Sequence, residues 1–402
     1  MLSYEFLFDL GLILLSTKLL GLLTKRFKLP QVVGALLAGI VLGPAVFNIL
    51  NETEFIQQMA ELGVIILMFC AGLETDAKEL KKSGKAAIII AILGVLIPLG
   101  GGFLVAKCFN SVEIAGANAN IFLQNIFIGI VLTATSVSIT VETLKEMGKL
   151  NTRAGNAILG AALIDDILGI IALTIITSIA DTNVNVAMVM LKIVMFFVFA
   201  FIVGVIFQKY YDRWVEHYNK DKRRFVIFAF VLCLFMAFIA EEFFGVADIT
   251  GAFIAGIILS TNEKRNYVAM RFETISYMLL SPIFFASIGI KVVLPEMSVT
   301  ILIFAIALLI VAVLSKVVGC YLGAKICKYN NVEAIQIGTG MISRGEVALI
   351  VASKGTALGL MSSLFFGPVI IMVVITTIVT PILLKITFNL KENNKLIEKQ
   401  VI

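Results

Sequence analysis

Apolar residues fill this chain in runs of about 20 positions, and short polar segments separate the runs. A helix of about 20 apolar residues spans the roughly 30 Å of hydrocarbon in a bilayer, and helices satisfy their own backbone there. The pattern therefore predicts an all-α polytopic membrane protein with about thirteen transmembrane helices. The predicted spans are residues 5–24, 31–50, 57–73, 86–107, 122–141, 154–179, 187–208, 224–241, 247–261, 272–290, 299–325, 333–353 and 363–386.

Composition leads to the same class of protein. Hydrophobic residues make up 60% of the chain and charged residues 15%, whereas about 25% charged residues is usual in a soluble domain. The mean hydropathy is +1.03. These values exclude an ordinary soluble globular protein.

The positive charges alternate between the gaps that separate the spans. The odd-numbered gaps and the C-terminal tail hold 25 of the 32 Lys and Arg residues, and the even-numbered gaps hold only Lys107, Lys291 and Lys354. Cytoplasmic loops carry the Lys/Arg excess. We therefore expect a multi-pass protein of the cell membrane with its N-terminus outside and a short cytoplasmic tail at 387–402. The net charge of +5 reflects this topology and does not indicate nucleic-acid binding, since the basic residues form no stripe.

Two pairs of segments repeat at a constant offset. Residues 34–42 (GALLAGIVL) resemble 251–259 (GAFIAGIIL), and 72–74 (GLE) resemble 289–291 (GIK), each pair 217 residues apart. The matched spans are seven crossings apart, so the two halves must have opposite orientations. An inverted repeat is a common plan of secondary transporters, with the ion site near the midplane. The alternative is a small-residue packing motif used twice by chance.

Asp165 and Asp166 lie side by side near the middle of the span 154–179. An ionised carboxylate in hydrocarbon is expensive, and such residues usually mark an ion or proton pathway. Neighbours on a helix point about 100° apart, so the two side chains cannot share one direction. The pair indicates that the chain moves a cation or a proton across the membrane.

Lys316 is a candidate partner for one of these aspartates. It lies about nine residues from the cytoplasmic end of its span, close to the depth of the aspartates, where an unpaired lysine is costly. The alternative is a static structural salt bridge. Lys18, Lys192 and Asp9 lie near span ends, where anchoring or packing is the simpler interpretation.

Two spans are predicted to be interrupted. The segment 133–140 (TATSVSIT) in the fifth span has five hydroxyl side chains in eight positions, and such groups satisfy freed backbone or coordinate a hard cation. The segment 338–346 (GTGMISRGE) in the twelfth span combines three glycines with Arg344 and Glu346. Interrupted spans in corresponding positions point to a transport site. For Arg344 and Glu346, neutralisation of helix ends and direct ion contact both remain open.

No cofactor or enzymatic activity is indicated. The five cysteines are isolated, no metal-ligand spacing occurs, and the single histidine, His217, falls in a basic loop. No nucleophile and base form a recognisable constellation. Proton chemistry within the membrane is therefore left to carboxylates and lysine.

These motifs together resemble those of the cation–proton antiporter superfamily, specifically the NapA-type sodium/proton antiporters. The resemblance runs from the second span to the last and rests on 133–140, 161–166 (AALIDD), 315–319 (SKVVG) and 340–347 (GMISRGEV). It implies a NapA/NhaA-like fold of thirteen helices with two broken, crossed helices. It also implies a homodimer whose dimerisation domain covers about 1–73 and 187–290, and a core domain covering about 86–179 and 299–386.

The resemblance also implies roles for single residues. Asp166 is the main cation and proton carboxylate, Asp165 pairs with Lys316 in the cation-free state, and Thr135 and Ser136 lie beside the cation. Having an aspartate at position 165 implies electrogenic exchange.

The expected activity is exchange of Na⁺ or Li⁺ for H⁺ by alternating access, with K⁺/H⁺ exchange on the same fold as the alternative. A cation channel is a different class, but no filter-like motif is visible. A sodium-coupled symporter for an organic solute is a third class, and few other polar residues are available to bind such a solute.

Overall fold

The computed structural model describes residues 4–27, 29–110, 120–180, 185–217, 222–262, 264–293 and 297–400. Within those ranges the chain forms α-helices, two short helical turns of other types, and no β-strand. The α-helices, in chain order, are α1 (Glu5–Arg26), α2 (Gln31–Leu42), α3 (Glu54–Glu74), α4 (Ala77–Phe109), α5 (Ile121–Thr133), α6 (Val137–Glu146), α7 (Arg153–Ala180), α8 (Val186–His217), α9 (Lys222–Phe244), α10 (Asp248–Ser260), α11 (Arg265–Ile275), α12 (Ser281–Ile290), α13 (Val299–Ile326), α14 (Asn331–Gly340), α15 (Glu346–Ala357) and α16 (Phe366–Gln400).

Ten helical segments of the described residues are long and apolar enough to cross a membrane. Two shorter apolar helices, α2 and α10, lie among them. The protein is therefore an all-helical multi-pass membrane protein, as the hydropathy pattern predicts. Each predicted span overlaps at least one of the observed helices.

Several helices begin at side chains that satisfy their first backbone N–H groups. Asp76 accepts hydrogen bonds from the amides of Lys78 (2.8 Å) and Glu79 (3.3 Å) at the start of α4. These bonds stabilise the ionised form and hold the pKa of Asp76 below its usual range. Asn330 and Glu333 form a reciprocal capping box at the start of α14.

The fifth and twelfth predicted spans are each interrupted. α5 ends at Thr133 and α6 begins at Val137, while α14 ends at Gly340 and α15 begins at Glu346. Both interruptions fall within the segments that the hydroxyl and glycine patterns single out. The tenth span is unbroken, because α11 continues through a π-helical turn at Ser276–Leu280 into α12.

Several predicted boundaries differ from the observed ones. α8 ends at His217, not at 208, and α11 begins at Arg265, not at 272. α4 begins at Ala77, not at 86, because its amphipathic, lysine-rich first turns are capped by Asp76. α2 ends at Leu42, not at 50, where Gly43 takes up an extended conformation. α16 runs on to Gln400, so the residues predicted as a short tail continue the last helix, and 401–402 lie outside the described residues.

The helices pack in two groups. In the first helix group, α1–α3 pack with α9–α12, and α8 lies against α9 and α10. In the second helix group, α4 packs with α5, α7 and α13, and α13 packs with α14 and α16. The groups meet where α3 contacts α6, α7 contacts α8 and α2 contacts α16. Both interrupted spans and both aspartates belong to the second helix group.

Candidate ion site

Asp165 and Lys316 form a fully buried ion pair. Lys316 Nζ lies 2.8 Å from Asp165 Oδ1 and 3.1 Å from Oδ2, and the two side chains are 0% and 1% exposed. Removing two charges from water is costly, and direct hydrogen bonds of this kind are what offset that cost. The structure thus pairs two residues that the sequence analysis placed at a similar depth in the membrane.

Lys316 also closes the end of a helix. Its Nζ donates to the carbonyl of Thr133 at 2.9 Å, and Thr133 is the last residue of α5. The final carbonyls of a helix lack intrahelical partners and carry partial negative charge. Lys316 therefore stabilises the interruption in the fifth span as well as Asp165.

Asp166 lies in a different environment. It is partly exposed, yet its Oδ2 is buried and has no hydrogen-bond partner among the described residues. An unpartnered carboxylate oxygen away from water is unfavourable unless a proton or a cation reaches it. Although the two aspartates are adjacent, Asp165 has a charged partner and Asp166 Oδ2 has none among the described residues.

The two interruptions contact each other through backbone and hydroxyl groups. Ser136 N donates to Ser343 O at 2.8 Å, and Ser343 Oγ donates to Ser136 O at 2.8 Å. Thr140 Oγ1 donates to Gly340 O at 2.7 Å and lies 2.9 Å from Ser343 Oγ. These bonds satisfy polar groups that the interrupted helices leave free.

Thr135 and Ser136 lie at this crossing and are 2% and 5% exposed. Among the described residues, Thr135 Oγ1 makes one long contact of 3.5 Å with Thr133 O, and Ser136 Oγ lies 3.2 Å from Ser138 Oγ. Both residues line a narrow space against Ala162 of α7. Positions three and four residues further along a helix share a face, so this space lies one turn from the two aspartates.

Arg344 neutralises the end of the other interrupted helix. Its side chain is 0% exposed and donates to Met341 O at 3.4 Å, Ile342 O at 3.2 Å and Ala312 O at 3.3 Å. Of the two interpretations left open by the sequence, this geometry matches neutralisation of a helix end. Glu346 is half-buried in the first turn of α15, where a carboxylate is favoured by the helix dipole.

One helix, α13, supplies groups to both interruptions. Lys316 binds the carbonyl end of α5, and the carbonyl of Ala312, one turn earlier, accepts from Arg344. The two positive side chains therefore lie at the negative ends of two half-helices that meet at the crossing. Spacing in the sequence gives no sign of this arrangement, because residues 133, 316 and 344 are far apart in the chain.

A second charged cluster escaped the sequence analysis. Lys145 Nζ, at the end of α6, lies 2.9 Å from Glu74 Oε1 and 3.6 Å from Glu273 Oε1. Both carboxyl oxygens of Glu146 accept from the backbone N of Gln31 at 2.9 Å. The basic residues of the odd gaps indicated the topology but not the pairing of Lys145, since its partners lie on two other helices, α3 and α11.

A crevice lies beside this cluster. It has a volume of about 200 Å³, and its lining includes Lys18, Gln31, Glu142, Lys145 and Tyr277. Lys18 Nζ lies 3.5 Å from the centroid of the Tyr277 ring, so this lysine faces the crevice and packs on an aromatic side chain, which agrees with the packing interpretation. Lys192, by contrast, is exposed on α8.

The geometry is that of a membrane protein in which two interrupted helices meet beside a buried ion pair, and comparison with known proteins identifies the class. The model of the family described as sodium/hydrogen exchanger, transmembrane, matches residues 11–390. The chain belongs to this family. It is a multi-pass cation–proton antiporter and not an enzyme, which decides against the channel and the solute symporter.

Two relatives illustrate the similarity. The Na⁺/H⁺-K⁺ antiporter GerN of Bacillus cereus is 39% identical over 97% of this chain and 98% of its own length. A Na⁺/H⁺ antiporter of Enterococcus hirae is 36% identical over 95% of this chain and 97% of its own. Among solved structures, the sodium proton antiporter MjNhaP1 of Methanocaldococcus jannaschii at pH 8 matches with a TM-score of 0.66 and 17% identity, covering 94% of this chain and 95% of that one. This last likeness concerns the fold alone.

Proposed function

We propose that this antiporter exchanges Na⁺ or Li⁺ for H⁺ across the cell membrane, and that Asp166 binds the cation and the proton in turn. The observation that carries the proposal is the buried Oδ2 of Asp166, which has no partner among the described residues, beside an aspartate already held by Lys316. One carboxylate is thus available to a ligand while its neighbour is occupied. The names of the relatives, which print Na⁺ and H⁺, support the choice of ions.

Exchange follows from competition for one carboxylate. A cation arriving at Asp166 displaces its proton, because both ligands satisfy the same oxygen. When the cation also engages Asp165, Lys316 loses its partner and releases a second proton. Two protons then leave for each cation that binds, so each cycle moves net charge.

Thr135 and Ser136 are the proposed neutral ligands. Na⁺ and Li⁺ are hard cations that prefer oxygen, and the interruption after Thr133 offers hydroxyl and carbonyl oxygens one helical turn from the aspartates. Arg344 and Glu346 have a structural role at the opposing helix ends in this scheme. The relative named a Na⁺/H⁺-K⁺ antiporter makes K⁺ the second candidate cation.

We further propose thirteen crossings arranged as an inverted repeat, which glycine contacts at the repeated segments support. A methyl group at Gly39 would lie 2.0 Å from Ala286 O, and one at Gly289 would lie 2.5 Å from Leu36 O. A methyl group at Gly256 would lie 2.3 Å from Phe69 O, in the packing of α10 on α3. Adding the offset of 217 to 39 gives 256, and 289 lies the same offset beyond 72.

The repeat thus accounts for two helix contacts at once. The contact between α2 and α12 at Gly39 and Gly289 corresponds to the contact between α10 and α3 at Gly256 and Gly72. A two-fold relation between the halves would generate one contact from the other. A packing motif used twice by chance would have no reason to give both.

The two helix groups are the proposed domains. The first helix group corresponds to the dimerisation domain of a homodimer and the second to the moving core, whose displacement gives alternating access. Contacts support the proposed topology, because Glu146 reaches Gln31 and Arg153 lies 3.2 Å from Glu333, joining odd gaps at one end. We call this end the basic end and propose that it faces the cytoplasm, with the N-terminus outside.

The test replaces Asp166 by Asn in proteoliposomes that contain a pH-sensitive dye. Adding Na⁺, Li⁺ or K⁺ to the wild type should move protons with the preferred cation, and Asp166→Asn should abolish that signal because the amide cannot exchange a proton. Asp9→Asn, which changes a half-buried aspartate near the start of α1, is the matched control and should exchange normally. Full exchange in Asp166→Asn would overturn the assignment.

A further inference from the structure

We propose that Lys145 and Glu146 at the end of α6, with Glu74, Glu273 and the amide of Gln31, form an inter-group latch. The latch holds the second helix group against the first at the basic end and has to open in every transport cycle. This inference rests on the proposed alternating access and names the contacts that set the balance between its two states.

Lys145 bridges the two helix groups with two carboxylates. Its partners, Glu74 at 2.9 Å and Glu273 at 3.6 Å, belong to α3 and α11 of the first helix group. The lysine side chain is 16% exposed and Glu74 is 29% exposed, so solvent screens this pair only in part. A lysine between two carboxylates from another rigid unit resists separation of the units.

Glu146 makes the second tie. Its carboxylate accepts from the N–H of Gln31, the first residue of α2. The first N–H groups of a helix are unpaired within the helix and carry partial positive charge. A residue of the second helix group therefore caps a helix of the first.

The place of the latch in the chain connects it with the ion site. α6 is only ten residues long and begins directly after Ser136 at the crossing. A force on Lys145 or Glu146 therefore acts on the half-helix that carries the proposed ligands. Lys145 is in this sense a positioning residue, since it touches no transported ion.

The crevice beside the latch has a mixed lining. Lys18, Glu142 and Glu273 line it together with Val32, Ala35 and Phe285. The charged ties of the latch therefore act beside partly apolar walls, and they supply the ionic part of the contact between the groups.

The other end of the molecule offers a matched comparison. Lys291 lies 3.2 Å from Glu52, but both residues belong to the first helix group. This pair has a similar geometry and partial exposure, and it does not cross between the groups. It should therefore remain intact when the second helix group moves.

The first experiment compares Lys145→Gln with Lys291→Gln in proteoliposomes. Loss of the latch shifts the population of the two states and should change the half-saturating Na⁺ concentration by about three- to tenfold, with exchange retained. Lys291→Gln should leave that concentration unchanged. An unchanged value in Lys145→Gln would overturn the latch, whereas absence of exchange in the wild type would overturn the proposed function instead.

The second experiment locks the latch. After replacement of the five native cysteines, the pair Glu74→Cys/Lys145→Cys is bridged with a short bis-methanethiosulfonate reagent. Bridging should stop exchange, and a reductant should restore it, whereas the pair Glu52→Cys/Lys291→Cys should exchange while bridged. Undiminished exchange in the bridged Glu74→Cys/Lys145→Cys protein would contradict the proposal, and if loss of the cysteines itself abolishes exchange, the Lys145→Gln measurement decides.

Discussion

At the residue scale, the two adjacent aspartates differ in their chemistry because they have different partners. Asp165 is held by Lys316 at 2.8 Å, whereas Asp166 keeps a buried oxygen without a partner among the described residues. The sequence predicted the depth of both and the divergence of their directions. The residue pattern alone left open which of them meets Lys316, because that depends on how α7 is rotated against α13, and the pairing with Asp165 was implied only by the resemblance to the antiporter family.

The buried pair leads to a stability prediction. Lys316→Ala should lower the free energy of unfolding by about 3–5 kcal/mol, because Asp165 then stays buried without its counter-charge. The double change Asp165→Asn/Lys316→Gln leaves no buried charge and should recover a large part of the loss. Thermal unfolding in detergent measures both effects.

Lys192→Ala is the control for that measurement, because this lysine is exposed on α8. It should shift unfolding by no more than about 0.5 kcal/mol. If Lys316→Ala were as mild as Lys192→Ala, the ion pair would make no net contribution to the fold.

At the scale of single helices, sequence patterns predicted the two interruptions better than they predicted the contacts between helices. Hydroxyl-rich and glycine-rich segments mark both breaks, because freed backbone groups need local partners. The π-helical turn at Ser276–Leu280 and the charged ties of α6 were missed. Their existence depends on which helices meet, and hydropathy along one helix carries no information about its neighbours.

The glycine contacts give a prediction at this scale. A methyl group at Gly289 would lie 2.5 Å from both Ile40 N and Leu36 O, and one at Gly72 would lie 2.2 Å from Phe253 O. Gly289→Ala and Gly72→Ala should each destabilise the protein by about 1–3 kcal/mol, because two backbones must separate.

Gly100→Ala is the matched control, since a methyl group there meets nothing within 4 Å. It should be neutral or slightly stabilising, because alanine favours a helix more than glycine does. The unfolding midpoints of the three purified variants measure these differences in stability. Similar midpoints for all three would remove the support that these contacts give to the inverted repeat.

For the whole molecule, composition and charge alternation were enough to predict a helical membrane protein. They could not predict that α1–α3 pack with α9–α12, because pairing between distant helices follows from shape and small residues. That pairing is what separates the two helix groups. It also places the proposed ion site within one group and the proposed latch between the two.

Net charge movement is the prediction that belongs to this scale. If Asp166 and Lys316 each release a proton for every cation bound, a cycle moves one charge, and 100 mV changes its driving force by about 2.3 kcal/mol. A Na⁺ jump on a solid-supported membrane should therefore give a transient current with the wild type. Lys316→Gln has no lysine proton to exchange. If this variant still moves protons in the dye assay, its current should be much smaller than that of the wild type. Proton exchange by the wild type without current would show one-for-one exchange, and Lys316 would then be left with the structural tasks of pairing with Asp165 and closing the end of α5.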